Sequence, residues 1–438
     1  MVTKILPGEG TASPSFSEAL RFWFRLGLIS FGGTAAHLGI MHDGLVERRK
    51  WIENEDFLHG LGHCLILPGP EAQQLAIYLG WKLHGIKGGI VAGTLFVLPS
   101  MILLLVLSIV YVEFGNVSWI AAVVSVLRPV ALALVVYALT RLAKRSLTEP
   151  VQWAVAFLAM AAMIWLHVSV PLVMGGAILV GLGLAKWRRF SKSQTISASE
   201  PAIPPEEQAS QQQAIRSLPK IFAGGMGLWL APLAALYAAG RDYSFWSQLI
   251  LFFTRTAFVT MGGSYTVIPY VAHVAVYRFH WLSPAQMLDG FALAETTPGP
   301  LIIVVAFVGF MAGFHHFDGS LLMGTLSLLL TTFYTFLPCF VFVFAGIPWM
   351  QSTRNNQSMK AVLSLIVAVV FAAMADLALF LVDGVLFHSS THSFVNLNWI
   401  AVGLIGMSLL LLGPLKKGVG WVIGSALGFG ILRALLRF

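Results

Sequence analysis

The chain has 438 residues, of which 57% are hydrophobic and only 11% charged, where a soluble domain carries about 25% charge. That leaves too little polar surface for a water-soluble fold, so a soluble enzyme, a disordered protein and a disulfide scaffold are excluded and lipid must be the solvent. The 27 Lys and Arg against 19 Asp and Glu give a net charge of +8, an excess that in a membrane protein reports orientation rather than a nucleic-acid partner.

The N-terminal stretch has no apolar core of signal-peptide length, so the first hydrophobic segment is expected to remain in the mature chain. A helix needs about 20 apolar residues to cross a hydrocarbon core of roughly 30 Å. Stretches of that kind occupy 89–112, 119–140, 151–167, 168–185, 219–239, 320–346, 360–382, 397–413 and 419–436. Each must be helical, because lipid offers no partner to an unpaired amide. The polar run 186–218 is rich in Ser, Gln, Pro and Glu and reads as a flexible cytoplasmic linker.

Four more apolar segments, 22–41, 57–80, 249–271 and 288–314, are interrupted at Gly32-Gly33, Pro68-Gly69-Pro70, Gly262-Gly263 and Pro298-Gly299-Pro300. Proline removes an amide and clashes with the preceding turn, and glycine permits positive φ. Each segment therefore reads as two half-helices meeting at a break. If these segments enter and return on one side, the basic clusters at 48–50, 82–87, 141–145, 186–192, 354–360 and 416–417 share the cytoplasmic face. Arg433 and Arg437 then lie opposite.

The chain repeats itself. A shift of 230 residues superposes Arg25 on Arg255, Gly32-Gly33 on Gly262-Gly263, Trp51 on Trp281 and the two Pro-Gly-Pro triplets on each other, with eleven identities in 46 ungapped positions. A shift of 239 aligns Leu98-Pro99 with Leu337-Pro338. The expected fold is an all-α polytopic membrane protein of two inverted-topology repeats, with about nine full spans and four re-entrant helical hairpins. Its parts are an N-terminal repeat 1–185, the linker 186–218, a transmembrane helix 219–239 that inverts the second copy, and a C-terminal repeat 240–438. Inverted repeats with helices broken near the midplane are a secondary-transporter pattern.

A half-helix that starts inside the membrane presents unpaired amides and the positive end of its dipole. Four such ends, after Gly33, Pro70, Gly263 and Pro300, suit an oxyanion. The expected substrate-binding set is Arg25, Gly32, Gly33, Thr34, Pro68, Gly69, Pro70, Arg255, Gly262, Gly263, Ser264, Pro298, Gly299 and Pro300. Thr34 and Ser264 add hydroxyl donors, and Arg25 and Arg255 formal charge. Close packing or a kink is the alternative for the breaks, and snorkelling for Arg25. Glu71, Glu295 and His37 are proton-coupling candidates, with helix capping or ordinary polar contacts as their alternatives. Arg128 and Asp376 are intramembrane charges that can pair with each other. Cys64 and Cys339 match no metal or disulfide spacing and read as packing residues. His59/His63, His315-His316 and His388/His392 form no metal motif, so neither metal nor cofactor is expected. A serine hydrolase built from Ser264 and His273 would need its groups brought across roughly 13 Å of helix, so an enzyme is not expected.

The stretches FGGTAAHLGIMHDGLVERRKW (31–51), LPGPEAQQLAIYLG (67–80) and GTLFVLPSM (93–101), with their second copies at 258–271 and 281–300, resemble the chromate ion transporter (CHR) family in its bidomain form. The resemblance implies a multi-pass inner-membrane protein that exports chromate and confers resistance to it, by a proton-coupled antiport. Thr34 stands where that family tends to have proline, and Met261 where it has Phe. Chromate and sulfate are both tetrahedral dianions, so a sulfate-like oxyanion is the alternative cargo. Lipid is the expected surrounding, a homodimer is compatible, and nucleic acid is not expected.

Overall fold

The computed structural model describes residues 14–31, 33–65, 67–115, 117–166, 168–191, 205–240, 242–260, 267–350, 357–387 and 397–436. Among the described residues, sixteen α-helical runs follow in chain order, the fourth of them broken at His84 and Gly85. They are α1 (Phe16–Ile29), α2 (Gly33–His42), α3 (Asn54–Cys64), α4 (Glu71–Phe114), α5 (Ser118–Ser146), α6 (Pro150–Ile164), α7 (Val170–Ser191), α8 (Pro205–Ala238), α9 (Tyr243–Val259), α10 (Val267–His273), α11 (Pro284–Glu295), α12 (Val304–His316), α13 (Leu321–Met350), α14 (Gln357–Leu386), α15 (Trp399–Leu412) and α16 (Val419–Leu436). Among the described residues there is no strand, only an isolated bridge between Phe387 and Leu397. The protein is all-α and polytopic. Helices covering Glu71–Phe114, Ser118–Lys144, Ser217–Ala238, Leu321–Ile347 and Ser364–Leu386 are long and apolar enough to cross a membrane.

Two departures from the expected layout have plain causes. At about 1.5 Å per residue, α6 and α15, with 15 and 14 residues, fall short of a 30 Å core, so α6–α7 and α15–α16 are pairs that each include a short helix. The polar run 186–218 is helical at both described ends, because α7 continues to Ser191 and α8 starts at Pro205. Proline is favourable in the first turn, and the Glu, Gln and Ala that follow are good helix formers.

The broken segments fold back on themselves. Gly60 of α3 leaves room for Tyr78 and Leu75 of α4, since a Cβ there would lie 2.3 Å from the Tyr78 ring. Gly290 of α11 does the same for Phe307 of α12. Contacts at matched distances before and after each Pro-Gly-Pro define two hairpins with the triplet at the tip. The chain after α1 also returns, placing Trp51 edge-on to Phe22 at 5.8 Å, and after α9 Trp281 meets Phe252 at 5.6 Å. These pairs are 230 residues apart, as are the π-helical turns Asp43–Arg48 and Val274–Arg278 to within a residue. Lys50 and His280 likewise share a left-handed φ, 51° and 54°.

The copies turn at the same joint. In the second, α12 and α13 are separated by a turn at 317–320; in the first, α4 breaks at His84 and Gly85 and its later part doubles back, so that Gln73 Nε2 donates to the Gly93 carbonyl. The copies also exchange their last helices: α5 packs on α15 and α16, and α14 packs on α6 and α7. The α11–α12 hairpin lies at the centre, buried without a gap from Met287 to Glu295 and from Leu301 to Gly313.

Candidate functional site

Helix α1 ends at Ser30 and α9 at Thr260, each leaving carbonyls with no amide four residues on. Their hydroxyls turn back to Leu26 (2.6 Å) and Thr256 (2.7 Å). The amide of Gly299 donates to the Ser30 carbonyl at 2.7 Å, and the amide of Gly69 donates to that of Thr260. Residues 30 and 260 are equivalent under the 230-residue shift, and so are 69 and 299. Each copy's glycine tip therefore satisfies the helix end of the other, a reciprocal contact of the kind a two-fold relation produces.

Both tip glycines are needed for conformation and for space. Gly69 has φ +130° and Gly299 φ +98°, a region closed to side chains. A Cβ on Gly69 would sit 2.7 Å from Cys339 Sγ, and one on Gly299 2.6 Å from Ser100 Oγ. Cys339 and Ser100 are themselves equivalents at the 239-residue shift. The two cysteines are free and buried.

Around this crossing lies a buried polar set. Glu71 is the first residue of α4, and its carboxylate takes hydrogen bonds from its own backbone amide and from Thr34. One oxygen, Oε2, has no partner. The α4 N-terminus, read from sequence as a free anion site after Pro70, thus already faces the Glu71 carboxyl group. His37 Nε2 donates to the Ser30 carbonyl at 2.9 Å, on the same acceptor as Gly299, while Nδ1 is left unpartnered. Gln74 Nε2 donates to the Pro68 carbonyl at 2.7 Å. Glu295, buried before the second triplet, also has an unpartnered oxygen, Oε1. Such groups are costly in a low-dielectric interior.

The structure brings together Gly33, Thr34, His37, Pro68, Gly69, Pro70, Glu71, Pro298, Gly299 and Pro300 through these contacts and chain neighbours. Gly33 opens α2 with φ +74°. Gly32, Gly262, Gly263 and Ser264 lie outside the described residues. Arg25 and Arg255 are exposed and do not join the crossing. The stripe Phe22, Trp23, Leu26 and Gly27 faces α4, and Arg25 sits roughly 130° round the helix from its centre at 100° per residue.

One constellation was not anticipated. Arg128 of α5 pairs with Asp289 of α11, with Nε 2.5 Å from Oδ1 and Nη2 2.8 Å from Oδ2, and Tyr111 of α4 donates to Oδ2 at 2.8 Å. Asp376, which the sequence allowed as a partner for Arg128, instead lies near His273. Asp289 lies inside the apolar segment 288–314, and an intramembrane carboxylate there was the available signal. Among the described residues no cluster of three or more His, Cys, Asp or Glu could hold a metal.

The model of the family described as "Chromate transporter" matches residues 17–182 and 247–431. A chromate transport protein of Cupriavidus metallidurans is 27% identical over 410 residues, 92% of this chain and 90% of its own length. One from Pseudomonas aeruginosa is 30% identical over 373 residues, covering 83% and 81%. An uncharacterized transporter of Methanocaldococcus jannaschii is 24% identical over 358 residues, 82% of each chain. No solved structure matches.

Proposed function

The chain belongs to the chromate transporter family, and from that premise we propose that it exports chromate across the inner membrane and so confers resistance to it. The reading rests on one observation, the reciprocal crossing at which Gly69 and Gly299 bond to Thr260 and Ser30. Transporters built of repeated, interrupted helices bind their cargo at the repeat interface, and here that interface carries glycine and proline breaks, a hydroxyl and helix N-terminal amides. The anion is received by the amides opening α2 and α4, at Gly33, Thr34 and Glu71. The Pro-Gly-Pro tips hold the pocket's geometry, since their glycine amides are already engaged.

With the interior negative, a dianion leaving alone through 100 mV gains about 4.6 kcal/mol, and one leaving with a single proton about 2.3 kcal/mol, so the membrane potential favours export in either case. Glu71 supplies the link to protons. Its carboxylate and an incoming oxyanion compete for the same amides at the start of α4, and protonation removes the competitor. Anion occupancy is then tied to proton uptake at Glu71, with His37 and Glu295 as further proton carriers, a linkage that carries proton and anion in the same direction and so departs from the antiport the resemblance implies.

Labelled chromate uptake into inverted vesicles, with and without a proton gradient, tests the reading. Uptake that a proton gradient modulates in the native protein and not in Glu71→Gln is the expected outcome. Sulfate belongs in the same experiment as competitor, because amides and hydroxyls do not separate two tetrahedral dianions. Uptake of sulfate with no uptake of chromate would overturn the assignment of cargo.

A further inference from the structure

Arg255, which does not reach the crossing, has other company. A groove of about 220 Å³ opens on the flank of the second copy between α9 and the α10 hairpin arm, with Arg255 and Arg278 among its walls, Gln248 and Tyr270 as polar groups, and Phe252 and Phe279 as aromatic ones. Among the described residues neither arginine meets a carboxylate; Arg278 lies 5.7 Å from the Phe279 ring. Two exposed guanidinium groups with no carboxylate beside them are free to take an anion.

The first copy shows the same position closed. There the equivalent of Arg278, Arg48, is paired with Asp43 at 2.8 Å, while Arg49, equivalent to Phe279, lies 4.9 Å over the Phe22 ring and donates to the Gly44 carbonyl. In the second copy His273 replaces the aspartate and Phe279 replaces the arginine. The charge that Arg48 shares with Asp43 in the first copy is thus left for an outside partner at Arg278, while Arg255, like its equivalent Arg25, is exposed. The same flank exposes Leu251, Phe258 and Tyr277, an apolar apron beside the cationic groove.

We propose that this groove binds the phosphodiester head group of an anionic phospholipid, with Arg255 and Arg278 on the phosphate oxygens and the acyl chains along the exposed apolar residues. Arginine is suited to such oxygens because its planar fork bonds two at once. At about 220 Å³ the groove is smaller than the roughly 300–1,000 Å³ of drug-sized sites, which fits a head group whose tails remain in the bilayer.

Native mass spectrometry of the full-length protein in detergent tests this with phosphatidylglycerol, phosphatidylcholine and inorganic phosphate as probes. The expected result is one retained phosphatidylglycerol, no comparable retention of phosphatidylcholine, and loss of about tenfold or more in affinity in the Arg255→Gln/Arg278→Gln variant. Arg141→Gln/Lys144→Gln, with the same change in charge elsewhere, should keep the lipid. Equal retention by the native protein and the groove variant would overturn the proposal, and so would phosphate binding at the groove in preference to lipid. If the double variant does not fold, Arg255→Lys serves: it keeps the charge, loses the fork, and should weaken retention. The readout is binding, so a failure here leaves the transport reading standing.

Discussion

Arg128 and Asp289 meet across the boundary between the two copies through two parallel hydrogen bonds, 2.5 and 2.8 Å long, with Tyr111 closing the third side. The Asp289 side chain is almost wholly buried, at 4% exposure. Removing one partner of such a pair leaves an uncompensated charge, which costs about 3–5 kcal/mol. Asp289→Ala should lower the unfolding transition of the purified protein accordingly. Arg128→Met/Asp289→Leu should recover much of that loss, because it removes both charges together. A double variant as unstable as the single would show that packing, not charge, sets the cost.

Gly299→Ala tests the crossing itself. The added methyl meets Ser100 Oγ at 2.6 Å in a backbone conformation of φ +98°, and strain plus overpacking together cost about 2–4 kcal/mol. Gly69→Ala should behave alike against Cys339. Combining Gly299→Ala with Ser100→Gly should relieve the contact and leave the backbone strain, a partial recovery readable in thermal unfolding.

Glu71→Gln keeps the side chain's size and removes its charge. Chromate uptake by the native protein should rise on acidification, by up to about tenfold per pH unit, the limit for one proton. The variant should be flat over the same range. A steep acid response that survives in Glu71→Gln would move the linked proton to His37 or Glu295.

Asp242 caps α9 outside the apolar segments, accepting from the Phe245 amide at 3.3 Å and from His316 at 2.8 Å. The His316 hydrogen bond, and then the Phe245 amide, hold its carboxyl below its ordinary value of 3.8. Because the folded value is depressed, the contribution to stability is complete above about pH 3.8 and disappears as the pH falls through the lowered value. Asp242→Ala should cost about 1 kcal/mol or less at neutral pH. It should also blunt the acid limb of an unfolding-against-pH curve.

Much of this was legible in the residues. The Pro-Gly-Pro triplets mark hairpin tips because proline and glycine cannot sit mid-helix there without penalty, and Gly60 and Gly290 now explain how the arms close. The bonds from Gly69 and Gly299 were not legible, since which carbonyl an orphan amide finds is set by the assembled repeats. Arg25 could have been placed correctly: the stripe Phe22, Trp23, Leu26 and Gly27 already fixes the buried face of α1. Asp289 escaped notice because its counterpart in the first copy is His59, so the repeat register that revealed the breaks carries no trace of it. Pro205 and the Glu and Gln after it start a helix that the Ser and Pro content of the preceding run obscured.

The exchange of final helices, α15–α16 onto α5 and α6–α7 onto α14, makes the two copies intertwined rather than side by side. Neither copy can swing as an independent lobe without dragging a piece of its sibling, so the moving bodies in any access cycle must be chimeric, each stitched from both ends of the gene product. A chain severed between α7 and α8 should accordingly still assemble when its fragments are made together, like two hands clasped with fingers interleaved.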